Sequence, residues 1–167
     1  MDKTNQEEII GSLITELTCN DVVKCQKARE KLVHIGKPAI PSLVGLMSHQ
    51  KQMVRWEALK VLGEIADPST IDIFLTYLRD DDFDIRWMAA EGLIAIGNDA
   101  LIPLLKATIT NSDSRGFRFA AHHVLKNLAG RGLFDTVKPV LVALEDVEPA
   151  VEAPVAAESV LSKIAGR

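Results

Sequence analysis

Cysteine is scarce: Cys19 and Cys25 are the only two in a chain of 167 residues. Two thiols close together near the start cannot supply the framework of a disulfide-stapled domain, and they read as reduced, partly buried groups of a reducing compartment. Aromatic residues are also few, at 5% of the chain, which suits helices packed through Ala, Leu and Ile. Positive charge is not in excess, since the formal net charge is −4. A nucleic-acid binder announces itself by a basic surface, so nucleic acid is a disfavoured partner. Behind the polar, acidic residues 1–8 there is no apolar run of the length a signal peptide or membrane span requires. The expected location is therefore the cytoplasm, with no membrane association. Catalytic signatures are missing too. No G-x-S-x-G occurs, and neither cysteine has a histidine partner identifiable from sequence. Gly92 and Gly97 have the spacing of a phosphate loop, but Asn98-Asp99 stand where Lys-Ser/Thr is required. No catalytic residue, metal or cofactor is assigned, and the chain is expected not to be an enzyme.

What the chain does contain is a repeat. Val54-Arg55-Trp56-Glu57-Ala58-Leu59-Lys60-Val61-Leu62-Gly63-Glu64-Ile65-Ala66 returns as the segment from Ile85 to Gly97, and more loosely as the segment from Phe117 to Ala129. Taking the alanine as marker, Ala28, Ala58, Ala89, Ala121 and Ala157 lie thirty to thirty-six residues apart. Four residues on come Leu32, Leu62, Leu93, Leu125 and Leu161, and seven on come Ile35, Ile65, Ile96, Leu128 and Ile164. An apolar set at i, i+4, i+7 is one stripe of a helix. A small residue follows each: Gly36, Ala66, Gly97, Ala129, Ala165, where the chain can leave the helix through a left-handed cap. Apolar segments 39–47, 71–78, 101–109 and 137–144 alternate with the markers, and 9–17 precedes the first. The unit is thus a helix pair with a period in the solenoid range, and about five pairs use up the chain.

With its Pro-marked first helices (Pro38 and Pro41, Pro68, Pro103, Pro139), acidic turns and V-R-x-x-A-x-x-x-L-G-x-I segments, the chain resembles HEAT repeats. The short form typified by phycobilisome lyases is the most similar, over about residues 20–167. Tetratricopeptide and ankyrin signatures are missing. The resemblance implies an all-α, right-handed α-α superhelix in a single domain, with pairs near residues 1–36, 37–66, 67–97, 98–130 and 131–167. It also implies that the second helices line a concave face, and that an Asp of the turn and the following Arg (Arg55, Arg86, Arg118) form a ladder between repeats. That ladder reads as incomplete, because His49 and Ser112 occupy acidic positions. HEAT-repeat hydroxylases carry His-Glu dipeptides for di-iron, and none occurs here.

Local signals place the helix ends. Thr4-Asn5-Gln6-Glu7 has capping-box spacing and predicts a first helix to about Leu17. Asn20-Asp21 and Asp67-Pro68 predict further starts. Pro41, Pro103 and Pro139 sit deeper and predict bends or later starts. The run Asp80-Asp81-Asp82-Phe83-Asp84 reads as a turn whose carboxylates favour the next helix N-terminus and pair with Arg86 or a neighbouring arginine; a cation or basic partner is the competing reading. The last connection, 145–154, is long and acidic, and predicts a final helix from near Pro154 to about Ala165. That helix could mediate homo-oligomer formation.

A helical wheel puts Val54, Ala58, Val61, Leu62 and Ile65 in one sector and Trp56 opposite. Equivalent positions are Gln26, Trp87, Phe119 and Val155, and neighbours on that side include Leu59, Lys60, Ala90, Glu91, Ile94, His122, His123 and Lys126. An apolar centre with a mixed-charge rim is the anatomy of a protein-binding groove. The candidate partner-binding residues are Trp56, Lys60, Trp87, Glu91, Ile94, Phe119, His122, His123 and Lys126. Packing of the aromatic rings between repeats is the alternative. Adjacent histidines on a helix diverge by about 100° and do not share a metal as an i, i+4 pair does. The expected function is a non-enzymatic scaffold binding a protein or peptide. Two alternatives follow from the resemblance: an accessory subunit like the phycobilin lyases, acting on a protein-attached tetrapyrrole, or a DNA binder like the HEAT-repeat alkylpurine glycosylases.

Overall fold

The computed structural model describes residues 3–19 and 21–166, and the regular elements among them are all helical. In chain order they are α1 (Lys3–Leu17), α2 (Val22–Ile35), α3 (Ile40–Gly45), α4 (Gln52–Ile65), α5 (Ile71–Tyr77), α6 (Phe83–Ile96), α7 (Leu101–Asn111), α8 (Arg115–Leu128), α9 (Phe134–Leu144) and α10 (Pro149–Ala165). They form two compact units, Met1–Asp67 and Pro68–Arg167. In the first, α1 packs on α2, α3 on α4, α2 on α4 and α1 on α3. In the second, α5 packs on α6, α7 on α8, α6 on α8 and α5 on α7. Within each unit, first helices make one layer and second helices another.

The alanine markers explain the close approach. Ala28, Ala58, Ala89, Ala121 and Ala157 are all fully buried, as are Leu32, Leu62, Leu93 and Leu125. The small side chain lets neighbouring helices approach, and each leucine fills the space beside it at a gain of about 1.5–3 kcal/mol. The last pair departs from the pattern. Leu161 is only half-buried, and α10 buries Ala153, Ala157 and Val160 instead. Burial on the inner helices is also wider than one stripe. In α4 it takes in Glu57 and Leu59, and in α6 it takes in Ala90, Gly92 and Ile94, because these helices meet a layer below and a neighbour beside.

The helix ends follow the small residues at three of the five expected exits; at the last, Ala165 is the final residue of α10 and Gly166 caps it at φ −87°. Gly36 (φ 70°), Ala66 (φ 53°) and Gly97 (φ 82°) turn the chain out of α2, α4 and α6, conformations that favour a residue without a Cβ. The break at Gly97 also divides the apolar stretch Phe83–Asn111, which by length and composition could cross a membrane. Ala129 stays helical at φ −54° and continues into a π turn, Ala129–Leu133, whose kink comes at Arg131 and Gly132 (φ 92°). The following pair is turned over: α9 packs on α8, while α10 packs on α9 and α7. The first helix of this pair therefore extends the layer of second helices. Val155, placed by the wheel in line with Trp87 and Phe119, stands on a helix of the other layer.

Other starts are shifted. The first helix already includes Lys3, so Thr4 is not its cap. Asp21 caps α2, its carboxylate accepting from the Val23 and Lys24 amides; Asn20 lies outside the described residues. Pro41 and Pro103 fall in the first turns of α3 and α7, where no amide donor is needed. Pro149, not Pro154, opens α10, and Pro154 and Pro139 lie inside their helices.

The three turn arginines share one geometry. Arg55 Nη1 donates to the carbonyls of His49 (2.9 Å) and Gln50 (3.3 Å). Arg86 Nη1 donates to Asp80 (2.7 Å) and Asp81 (2.9 Å), and Arg118 Nη1 to Ser112 (2.5 Å) and Asp113 (3.1 Å). Each guanidinium clamps two backbone carbonyls of its own turn, so the expected Asp–Arg side-chain pairing is replaced by a contact that any residue can offer. The acidic run serves the helix start, as Asp82 accepts from the Asp84 and Ile85 amides.

Candidate functional site

The α6–α8 face gathers most of the predicted site. Trp87 and Phe119 occupy the same position in successive second helices, and both project from the layer, 44% and 66% exposed. Between them lies a hollow of about 550 Å³ with Phe83, Ala90, His123 and Lys126 among its lining. Trp87 is both exposed and packed. Its ring stacks on His123 at 4.5 Å between centroids, with 26° between planes, and on Phe83 at 6.2 Å. One side of the ring contacts the next pair, and the rest meets solvent.

The histidines are each held by a carboxylate. His123 Nε2 lies 2.8 Å from Glu91 Oε1, bridging α8 to α6, and His122 Nε2 lies 2.8 Å from Glu145 Oε1 at the end of α9. The rings point to different partners, as adjacent helical positions must. Among the described residues no cluster of three or more His, Cys, Asp or Glu could hold a metal. Lys126 is exposed beside them.

Ile94 needs correction. It is only 7% exposed and offers almost no surface to a partner, whereas the buried Ala90 lines the hollow. Leu59 is likewise fully buried in α4. The wheel sets these residues on the outer side because it considers one helix, and the neighbouring helix that covers them is not written into that helix's periodicity.

Trp56 and Lys60 belong to the other unit. Trp56 is half-buried, and the Lys60 ammonium sits over its ring, 4.9 Å from the centroid. A polar feature of this unit is a half-buried ion pair: Arg29 meets Glu57 through Nε–Oε2 at 3.0 Å and Nη2–Oε1 at 3.1 Å, joining α2 to α4. Burial works to lower the Arg29 pKa, but the hydrogen bonds and charge of Glu57 outweigh it and raise the pKa further. Cys25 takes the place that arginine holds in later pairs and donates to the Leu17 carbonyl at 3.3 Å. Burial, reinforced by the charge of Glu57 and opposed by Arg29, pushes its thiol up to about 11. It is an inert neutral thiol at ordinary pH.

Several surface residues escaped the reading from sequence. Arg86 lies over Phe83 at 5.8 Å, Arg115 over Phe119 at 5.5 Å and Lys138 over Phe134 at 5.7 Å. The signal was present as aromatic–cation pairs three or four apart on one helix. Phe134 and Lys138 extend the surface onto α9, where a second hollow of about 420 Å³ lies against His122 and Lys126. A third, of about 460 Å³, is bounded by Arg115, Phe119 and Glu145.

Paired helices stacked in two layers through alanine markers define an α-helical repeat protein. Comparison with known proteins identifies which kind: the family model for HEAT repeats matches residues 12–84 and 40–126, and the chain belongs to the HEAT-repeat family. No curated protein matches it in sequence. Among solved structures it is similar to one described as the complex of CpcE and CpcF of phycocyanin lyase from Nostoc sp. PCC7120. The identity is 22% and the TM-score 0.62, covering 92% of this chain and 98% of that one. At that identity the likeness concerns the fold.

Proposed function

We propose that this chain is a non-enzymatic interaction module that holds a partner protein or peptide on the α6–α8–α9 face. The observation that carries the reading is the hollow of about 550 Å³ bordered by the exposed rings of Phe83, Trp87 and Phe119. Large aromatic rings held by their neighbours are common anchors of protein interfaces, because little side-chain entropy is lost when a partner covers them. His122, His123, Lys126 and Glu91 form a polar rim. Trp56 and Lys60 offer a smaller contact on the other unit. Membership of a repeat family whose units present extended surfaces supports a binding role, as does the similar fold having been solved as a complex of two different chains. The cytoplasm remains the proposed compartment. The test is affinity capture from a native lysate by the wild-type chain and by Trp87→Ala/Phe119→Ala, with thermal unfolding of both recorded. Partners retained by the first and lost by the second, at similar Tm, support the reading. Equal capture by both sinks it.

A lyase-like accessory role is the second reading, and the solved phycocyanin lyase complex favours it. It predicts that bilin mixed with the chain shows a shifted, intensified absorption band that the same double variant abolishes. An unchanged bilin spectrum rules this reading out.

A further inference from the structure

The charges around the three hollows are lopsided. Among the residues lining them, the cations are Arg86, Arg115, Arg118, Lys126 and Lys138, and the sole carboxylate is Glu145. Glu145 is already bonded to His122, and Arg86 and Arg118 are committed to turn carbonyls. Arg115, Lys126 and Lys138 are exposed and have no ion-pair partner among the described residues. The free charge among the lining residues is thus positive, on a chain whose formal net charge is −4. Two of the three free cations, Arg115 and Lys138, lie over exposed rings, so each positive head stands beside an apolar surface.

We infer that the α6–α8–α9 face binds an acidic amphipathic peptide segment, apolar side chains seated on Trp87 and Phe119 and carboxylates meeting Arg115, Lys126 and Lys138. This rests on the reading of the face as a partner-binding surface and specifies its occupant. The hollows adjoin at His122, which lines all three. Three helices packed side by side at about 8–10 Å span about 20 Å, the length of about 13 helical residues or six extended ones. A short segment of a partner therefore matches the face. Cations over aromatic rings would also suit a single-stranded nucleic acid. The acidic peptide is favoured because the three free cations lining the hollows match a few spaced carboxylates and are too few to track the continuous charge of a phosphate backbone.

The experiment selects random dodecapeptides displayed on phage against the full chain, then measures the affinity of enriched peptides by fluorescence anisotropy. Trp87→Ala/Phe119→Ala, Lys126→Glu/Lys138→Glu and a fluorescent oligo-dT probe run alongside. The expected result is enrichment of peptides rich in Asp and Glu with spaced Leu, Phe or Trp. Either double variant should lower their affinity at least about 10-fold, and added salt should weaken binding. Enriched peptides that are neutral or basic, yet lost with Trp87→Ala/Phe119→Ala, overturn the acidic occupant and leave the binding face standing. Peptides whose affinity survives both variants overturn the face itself. Tighter binding of oligo-dT than of any peptide, lost with the charge reversal, assigns the face to nucleic acid and overturns the proposal. So does selection that enriches nothing, or self-association of the chain abolished by the same variants.

Discussion

A glycine in mid-helix costs about 1 kcal/mol relative to alanine, and Gly92 sits in the middle of α6. Its reason is Phe74: a Cβ built on Gly92 would lie 2.3 Å from that buried ring. The spacing from Gly92 to Gly97 that imitates a phosphate loop thus comes from packing at one glycine and from a left-handed exit at the other. Gly92→Ala should destabilise by about 1–3 kcal/mol or more through overpacking, read as a lower urea midpoint. Adding Phe74→Leu should recover part of the loss, and a single variant as stable as wild type would contradict the contact. The thiols make a second residue-scale case. Cys19 is exposed and Cys25 buried with its pKa at about 11, so its thiolate at pH 8 should be about 100-fold scarcer than that of an ordinary thiol. Mass spectrometry after brief iodoacetamide treatment should find Cys19 labelled and Cys25 intact. Between the two pKa values the folded thiol keeps its proton where the unfolded one loses it. The Cys25 contribution is therefore complete below about pH 8.5 and declines as the pH rises toward 11. Equal labelling of both thiols would show that Cys25 is not enclosed.

Single positions fix the turns because helix ends leave carbonyls without partners. Arg55, Arg86 and Arg118 were legible as structural residues through the resemblance to HEAT repeats, from their place three before the marker alanines Ala58, Ala89 and Ala121. Their partners were not, since a search for an acidic side chain finds His49 and Ser112 where the structure uses main-chain oxygens. Arg86→Met should therefore cost about 1.5–3 kcal/mol, the value of hydrogen bonds from a charged group. Asp81→Asn, which keeps the carbonyl, should change stability by less than about 0.5 kcal/mol. Comparable losses from the two variants in urea titrations would restore the side-chain ladder. The helix exits follow the same logic. Ala66 holds φ 53° with a Cβ present, a conformation costing about 1–2 kcal/mol for an L-residue. Ala66→Gly relieves that strain but gives back unfolded-chain entropy. The net should be a rise in stability of up to about 1 kcal/mol, visible as a higher Tm.

At the scale of the molecule, the repeat was readable because each marker alanine answers to the same packing demand, and all five are fully buried. The overturning of the last pair was not readable. It depends on the chain passing Ala129 in helical conformation and kinking at Gly132, while the stripe around Ala157 resembles the earlier ones. The aromatic face was half legible for a similar reason: Trp87 and Phe119 follow the period, whereas Phe134 and Lys138 reach it through the inverted α9. Stability should be distributed as the contacts are. In a repeat array each pair depends on its immediate neighbours, so damage should stay local. Leu32 is fully buried in the unit of α1–α4 and Leu125 in the unit of α5–α10, where α8 packs on α6, α7 and α9. Truncating either to alanine removes similar buried volume, at about 2–5 kcal/mol. Hydrogen exchange followed by mass spectrometry should separate them. Leu32→Ala should speed exchange in α1–α4 and leave α7–α10 protected, while Leu125→Ala should do the reverse, with α6 and α9 loosening together with α8. Uniform acceleration by either substitution would mean that the chain unfolds as one cooperative body. The division into two compact units would then describe packing alone and carry no independence of stability.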